Sequence, residues 1–198
     1  KVPYRWRPMT FKSGGREYFN ERAIATQQTG FVLIAQMRSW LPDAVGGILW
    51  FGVDDANTAV LTPMYTSITE IPECYRRGNG SMTEFSWTSA FWIHNWVANM
   101  AYNRYEPMIR DIRPVQKELE DSYVDLVKNT DAKALELLKS SPAQATAYLT
   151  EVCGKVANEA TARWKKLGEY LLVKYMDGNV KKEKDGKFEE NGYGQIVS

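Results

Sequence analysis

Two cysteines and one histidine are all that this 198-residue chain offers to thiol, imidazole or zinc chemistry. Cys74 and Cys153 stand far apart and outside any CxxC or CxxH spacing, which excludes a zinc ribbon and a disulfide framework. Both are expected to be buried small hydrophobes. The chain also lacks a charge of one sign: 25 basic residues against 24 acidic give a net +1, so there is no electrostatic ground for a nucleic-acid partner. No run approaches the roughly 20 apolar residues of a membrane span. The opening KVPYRWRPMTFKSGG has no apolar core of a signal peptide, and no repeat or low-complexity array occurs. The chain does not begin with Met and is expected to be a piece of something longer, cytoplasmic or exported according to what precedes it.

What is present is apolar and aromatic. Hydrophobic residues make up 44% and aromatics 13% of the chain, enough for a core at a length close to one domain. The first zone, to about Ile71, is rich in β-branched and aromatic residues: TGFVLIAQMR (29–38), VGGILWFGVDD (45–55) and TAVLTPMYTSI (58–68) read as three antiparallel strands. SWLPDA and DDAN are turn-forming and are expected to be hairpin joints. Pro63 lacks a ladder donor, which places its strand at an edge or a bulge. The middle strand is apolar on both sides, with Leu49, Phe51 and Val53 on one and Ile48 and Trp50 on the other, so it must be covered on both.

The second zone, about 88–178, is helical. SAFWIHNWVANMAYNRYEPMIRDI carries Phe91, Trp92, Trp96 and Met100 near i, i+4 spacing, and Pro107 and Pro114 are expected to kink or divide the helix beyond them. Ser141, Pro142 and Gln144 form a helix start. The next helix carries Leu149, Val152, Val156, Ala160, Leu167 and Leu171 on one face and ends near Gly178. Residues 179–198 are polar and glycine-containing, a tail or an extension docked by Phe188 and Tyr193. The fold class is α+β, with one folded portion over 1–178, yet the two-sided strand needs more sheet than the chain supplies.

Candidate chemistry is sparse. Any imidazole base must be His94, and a Cys–His hydrolase would pair it with Cys74 or Cys153, though neither cysteine carries a local signature. Asn95, Asn99 and Asn103 form a carboxamide stripe that lines a polar site or satisfies itself in a hydrogen-bond network. Asp54 and Asp55, adjacent on a strand, would face opposite sides; turn capping suits them better than a shared metal or proton. RRGNGS (76–81) lacks the lysine of a phosphate loop and reads as a mobile loop. Arg38 closes an apolar strand, where its guanidinium either meets a substrate carboxylate or makes a strand-end ion pair.

The segments QMRSWLPDAVGGILWFGVDDANTAVLTPMYTSITEIPECY and WTSAFWIHNWVANMAYNRYEPMIRDIRPVQKELED, in this order, resemble the C-terminal part of PepD-type dipeptidases. These are cysteine peptidases of the N-terminal-nucleophile hydrolase superfamily, and the resemblance is firmest from about Glu21 to Asp121. It implies an αββα sandwich in which two antiparallel sheets stack between helical layers, which would cover both sides of GGILWFG. It also implies a nucleophilic cysteine at the start of the mature chain, whose own α-amino group is the base, with no metal and no cofactor. Residue 1 here is Lys, so that cysteine is expected upstream of Lys1 and this chain alone is expected to be inactive. By comparison with the superfamily, Arg38 is the candidate for holding the acyl or leaving group. The implied partners are the N-terminal half of the same enzyme, or a second copy of the chain, and a small peptide substrate. Two other functions fit the same residues: an amidase of that superfamily acting on non-peptide amides, and a non-catalytic binding or scaffold module.

Overall fold

The computed structural model describes residues 9–21, 25, 28–175, 178 and 180–190; Tyr193 lies outside them. Among these residues the architecture is mixed α and β, with antiparallel strands first and a long helical region after them. Strands β1 (Met9–Ser13) and β2 (Arg16–Glu21) form a hairpin. Its turn is Gly14-Gly15 at φ +56° and +74°, a conformation that costs glycine nothing. Phe11 and Tyr18 stack across it at 5.3 Å.

The central sheet has the order β3 (Phe31–Met37), β4 (Gly47–Val53) and β5 (Thr62–Tyr65), all antiparallel. The three strands fall within the three apolar runs, and β5 with Pro63 is an edge. The joint between β3 and β4 is more than a hairpin turn. Pro42 opens one helical turn, α1 (Asp43–Gly46), and its carbonyl accepts from the N–H groups of Val45 and Gly46. Gly52 is glycine because a Cβ there would lie 2.9 Å from the Val60 carbonyl oxygen of the returning chain.

Three helices follow: α2 (Ala90–Asn103), α3 (Tyr105–Ser140) and α4 (Pro142–Tyr175). The break between α2 and α3 falls at Arg104, three residues before Pro107, whereas Pro114 is carried inside α3. Ser141 caps α4 as expected, its Oγ accepting from Gln144 N–H at 3.3 Å, with Pro142 as the first helical residue. The buried face of α4 contains Leu149, Val156, Ala160, Leu167 and Leu171 from the expected stripe, together with Cys153, Ala157 and Trp164. The aromatic helix α2 forms over the expected stretch. Ala90, Ile93, Val97 and Ala101 are the buried side, and Phe91, Trp92, Trp96 and Met100 are only half-buried. Ile93, Val97 and Ala101 share a core with Val156, Ala160 and Trp164 of α4, and the Trp96 ring lies over Gly168 of the same helix.

One helical layer covers one side of the sheet. Ile48 and Tyr65 share a core with Val127 and Ala134 of α3 and with Leu149, Cys153 and Ala157 of α4. Helix α4 also closes the outer edge of β5, where the Tyr65 N–H donates to Cys153 Sγ at 3.3 Å. On the opposite side Phe51 meets Tyr75 edge-on at 5.1 Å, so a 3-10 turn, Glu73–Tyr75, covers the sheet there. The far end of α4 is clamped to the start of α3: Asp111 accepts from Lys174 Nζ at 2.9 Å and from the Tyr175 hydroxyl at 2.6 Å. A short hairpin, β6 (Glu183–Lys184) with β7 (Lys187–Phe188), comes last, and Phe188 stacks on Tyr170 at 5.8 Å.

Helices α2 and α4 approach closely at Gly168, where a Cβ would lie 2.5 Å from the Trp96 ring. Gly168→Ala is therefore expected to destabilise the chain by about 1–3 kcal/mol through overpacking. Gly154→Ala on the same helix, with nothing within 4 Å of its Cβ, is expected to be neutral or to stabilise by up to about 1 kcal/mol. Urea unfolding of both variants checks this; equal effects would mean that the helices do not pack as described.

Candidate functional site

Arg38 follows the last residue of β3 and turns inward, with only 6% of its side chain exposed. Its Nε donates to the Gly46 carbonyl at 3.3 Å and its Nη2 to that of Val45, so the guanidinium ties the α1 turn to the strand end. Both terminal nitrogens also donate to Asp131 of α3, forming a two-pronged ion pair, at 3.1 Å through Nη2. The Tyr65 hydroxyl donates to the same carboxylate at 2.7 Å, and burial beside it raises the tyrosine's pKa. Arg38 thus has Asp131 and two carbonyls as partners inside the fold. Asp131 and Tyr65 carry no signal of this role in the sequence: 93 residues separate Arg38 from Asp131, and nothing in NTDAKALE marks the pairing.

The DDAN segment is a buried turn. Asp55 Oδ2 accepts from the N–H of Thr58 at 3.1 Å and from its hydroxyl at 2.9 Å, which is the expected capping. Asp54 sits at φ +67°, so the two carboxylates do not alternate as on a strand. Asn95 Nδ2 donates to Asp54 Oδ1 at 2.9 Å, and burial raises the Asp54 pKa above the usual carboxylate range. Asn99 Nδ2 donates to the Asn95 carbonyl and side chain, and Asn103 Nδ2 to the Asn99 carbonyl. The asparagine stripe is therefore a self-satisfied network that ends on a buried carboxylate.

His94 is buried against Trp164, ring on ring at 5.0 Å, and its Nδ1 has no hydrogen-bond partner. Desolvation pushes its pKa down to about 3, so it is a neutral core residue at ordinary pH. Burial pushes both thiols up to about 11, which leaves them protonated and poor as nucleophiles. No Cys–His hydrogen bond forms among the described residues. The RRGNGS segment is folded into turns, with Gly78 and Gly80 at positive φ. Asn79 at its centre donates to the Glu73 carbonyl and accepts from Ser86 and Thr88.

Two clefts flank β3 on its helical side. One, of about 500 Å³, is lined by Ile34, Gln36, Trp50, Leu61, Glu120 and Val124; the Trp50 indole donates to Gln36 at its mouth. The other, of about 340 Å³, is polar and lies beside the DDAN turn, with Asn57, Arg113, Gln116 and Glu120 among its lining. Arg113 donates there to the Asn57 carbonyl and to Gln116. Among the described residues no cluster of three or more metal-ligating side chains occurs, and no helix is long and apolar enough to cross a membrane.

The model of Peptidase family C69 matches residues 6–118, more than half of the chain, which takes in the central sheet, α2 and the first part of α3. The chain belongs to peptidase family C69. Two relatives fill in the picture for this C69 chain. A probable dipeptidase of Latilactobacillus sakei is 31% identical over 143 residues, 71% of this chain and 28% of the relative. Probable dipeptidase B of Lactococcus lactis subsp. lactis (strain IL1403) is 28% identical over 155 residues, 77% of this chain and 31% of the relative. The C69 chain matches less than a third of the length of either.

Two outcomes are expected from this geometry. Asp131→Ala leaves the Arg38 guanidinium buried without its carboxylate and should cost on the order of 3–5 kcal/mol in urea unfolding. Arg38→Lys should also destabilise the chain, because an ammonium cannot make the fork to Asp131. For His94 the folded pKa lies below the unfolded value of about 6.5, so the unfolded chain binds the extra proton. Stability should therefore fall as pH drops from about 6.5 towards 3, by up to about 1.4 kcal/mol per pH unit from this group. His94→Phe, which keeps the stack on Trp164, should flatten that part of the profile. An unchanged slope would mean that His94 is not the buried neutral base described.

Proposed function

We propose that this chain is the C-terminal part of a dipeptidase that hydrolyses dipeptides or short peptides through a cysteine located upstream of Lys1. The observation that carries the proposal is the pairing of C69 membership and probable-dipeptidase relatives with the absence, among the described residues, of any activated nucleophile. A C69 chain whose two thiols are buried and protonated needs its reacting group from elsewhere.

In the proposed reaction the N-terminal thiol gives its proton to the chain's own free α-amino group and attacks the peptide carbonyl. The tetrahedral intermediate collapses as that proton passes to the departing amine, leaving a thioester. Water then adds with the same amine as base, and the thiol is regenerated. Oxyanion donors lie mostly outside this chain. The sheet and helices described here form part of an αββα sandwich in this scheme, and the half-covered sheet supports that reading. Arg38 serves as a positioning residue, since Asp131 and the Val45 and Gly46 carbonyls already take its donors. The relatives' names favour a dipeptidase over an amidase acting on other amides.

The test is turnover by the product of the whole gene. Dipeptide hydrolysis is expected, abolished by a thiol alkylator and retained in a Cys74→Ala, Cys153→Ala double variant, with a cysteine as the first residue of the mature protein. The 198-residue chain alone should show none. Turnover by the isolated chain, or loss of turnover in the folded double variant, would overturn the proposed nucleophile; hydrolysis of non-peptide amides only would overturn the substrate.

A further inference from the structure

Strand β3 is bare on three sides. The β3–β4 register pairs Phe31 with Val53 and Met37 with Gly47. Arg38 N–H donates to Gly46 and Asp54 N–H donates to Gly30, so the even-numbered residues of β3 direct their backbone groups at β4. The backbone groups of Phe31, Leu33, Ala35 and Met37 consequently point outward, and among the described residues no strand meets them. The side chains of those residues lie on the face away from the helices, with Phe31 59%, Leu33 47% and Met37 75% exposed. Ile34, on the helical face, is 54% exposed above the cleft of about 500 Å³ between the sheet and α3. An uncharged apolar strand open on both faces and along its edge is a docking surface by construction.

We infer that β3 is an assembly strand: another part of the same longer polypeptide adds a strand to its outer edge and covers both of its faces. This rests on the proposal that the chain is one portion of a longer hydrolase, and two observations favour that occupant over a second copy. An antiparallel β3–β3 pair would satisfy the edges, yet it would leave both faces of both strands in water. The occupant must bring a strand, cover for the outer face and apolar side chains for the cleft, which requires a substantial segment. More than two-thirds of the length of each relative lies outside the matched region, ample for all three. The added strand must itself be apolar on both faces, as β4 is.

The test is site-resolved amide hydrogen exchange on the full-length gene product and on this chain. In the full-length protein the outward amides of Leu33, Ala35 and Met37 are expected to exchange at least about a hundredfold more slowly than in the isolated chain, joining those of Ile34 and Gln36. Ala35→Pro removes one outward donor without touching the ladder to β4 and should abolish that extra protection in the full-length protein while leaving Ile34 protected. Leu33→Lys should do the same through the outer face. Fast exchange of the outward amides in the full-length protein would overturn the inference. So would protection that appears in the isolated chain with rising concentration, which would mean a second copy, or a gene that encodes only these residues. Protected amides in a protein without peptidase activity would leave the strand assignment standing and remove the dipeptidase proposal alone.

Discussion

The buried guanidinium of Arg38 is the constraint on which the arrangement of sheet and helices depends. It gathers the end of β3, the α1 turn and α3 around one carboxylate, Asp131, which Tyr65 of β5 also donates to. Two of the three strands and the longest helix are thereby fixed to one point. Such a pair adds little net stability over apolar packing of the same shape, but it tolerates no partial occupancy. It thus selects one relative placement of strand ends and helix from among the many that hydrophobic contact alone permits.

The rest of the interior is satisfied unevenly. The Asn95–Asn99–Asn103 stripe ends on Asp54, and Asp55 closes its own turn through Thr58, so the polar residues of the β4–β5 connection mostly find partners within the fold. His94 Nδ1 and Trp164 Nε1, on rings stacked against each other in the middle of the helical layer, do not. Two unsatisfied nitrogens in this buried core indicate that ring packing there outweighs polar satisfaction.

Local signals are legible where one residue type does one job. Ser141 and Pro142 mark the α4 start because capping chemistry is confined to a turn, and Pro63 marks an edge strand because it lacks a donor. The apolar runs locate β3, β4 and β5 within a few residues. The β1–β2 hairpin escapes such a reading although Gly14-Gly15 signals its turn, since its strands are largely polar. The helical spacing of α2 is legible, but its most buried residues, Ile93, Val97 and Ala101, are set by the contact with α4 and carry no mark of it in the sequence. Asp131 is invisible because its role comes from a partner 93 residues away. Residue types with several jobs, such as arginine and asparagine, acquire one only when the fold places their partners.

The bareness of β3 also bears on the order of synthesis. FVLIAQM contains no charge, no proline and no glycine, the composition from which cross-β stacks form, and the nearest charge, Arg38, is turned inward where it cannot discourage pairing. A ribosome extrudes chain from the N-terminus, so anything encoded upstream is already outside and folding when this segment emerges. If the cover for β3 comes from upstream, vectorial synthesis delivers it before the strand needs it. Produced apart from that cover, the same seven residues become a nucleus for aggregation.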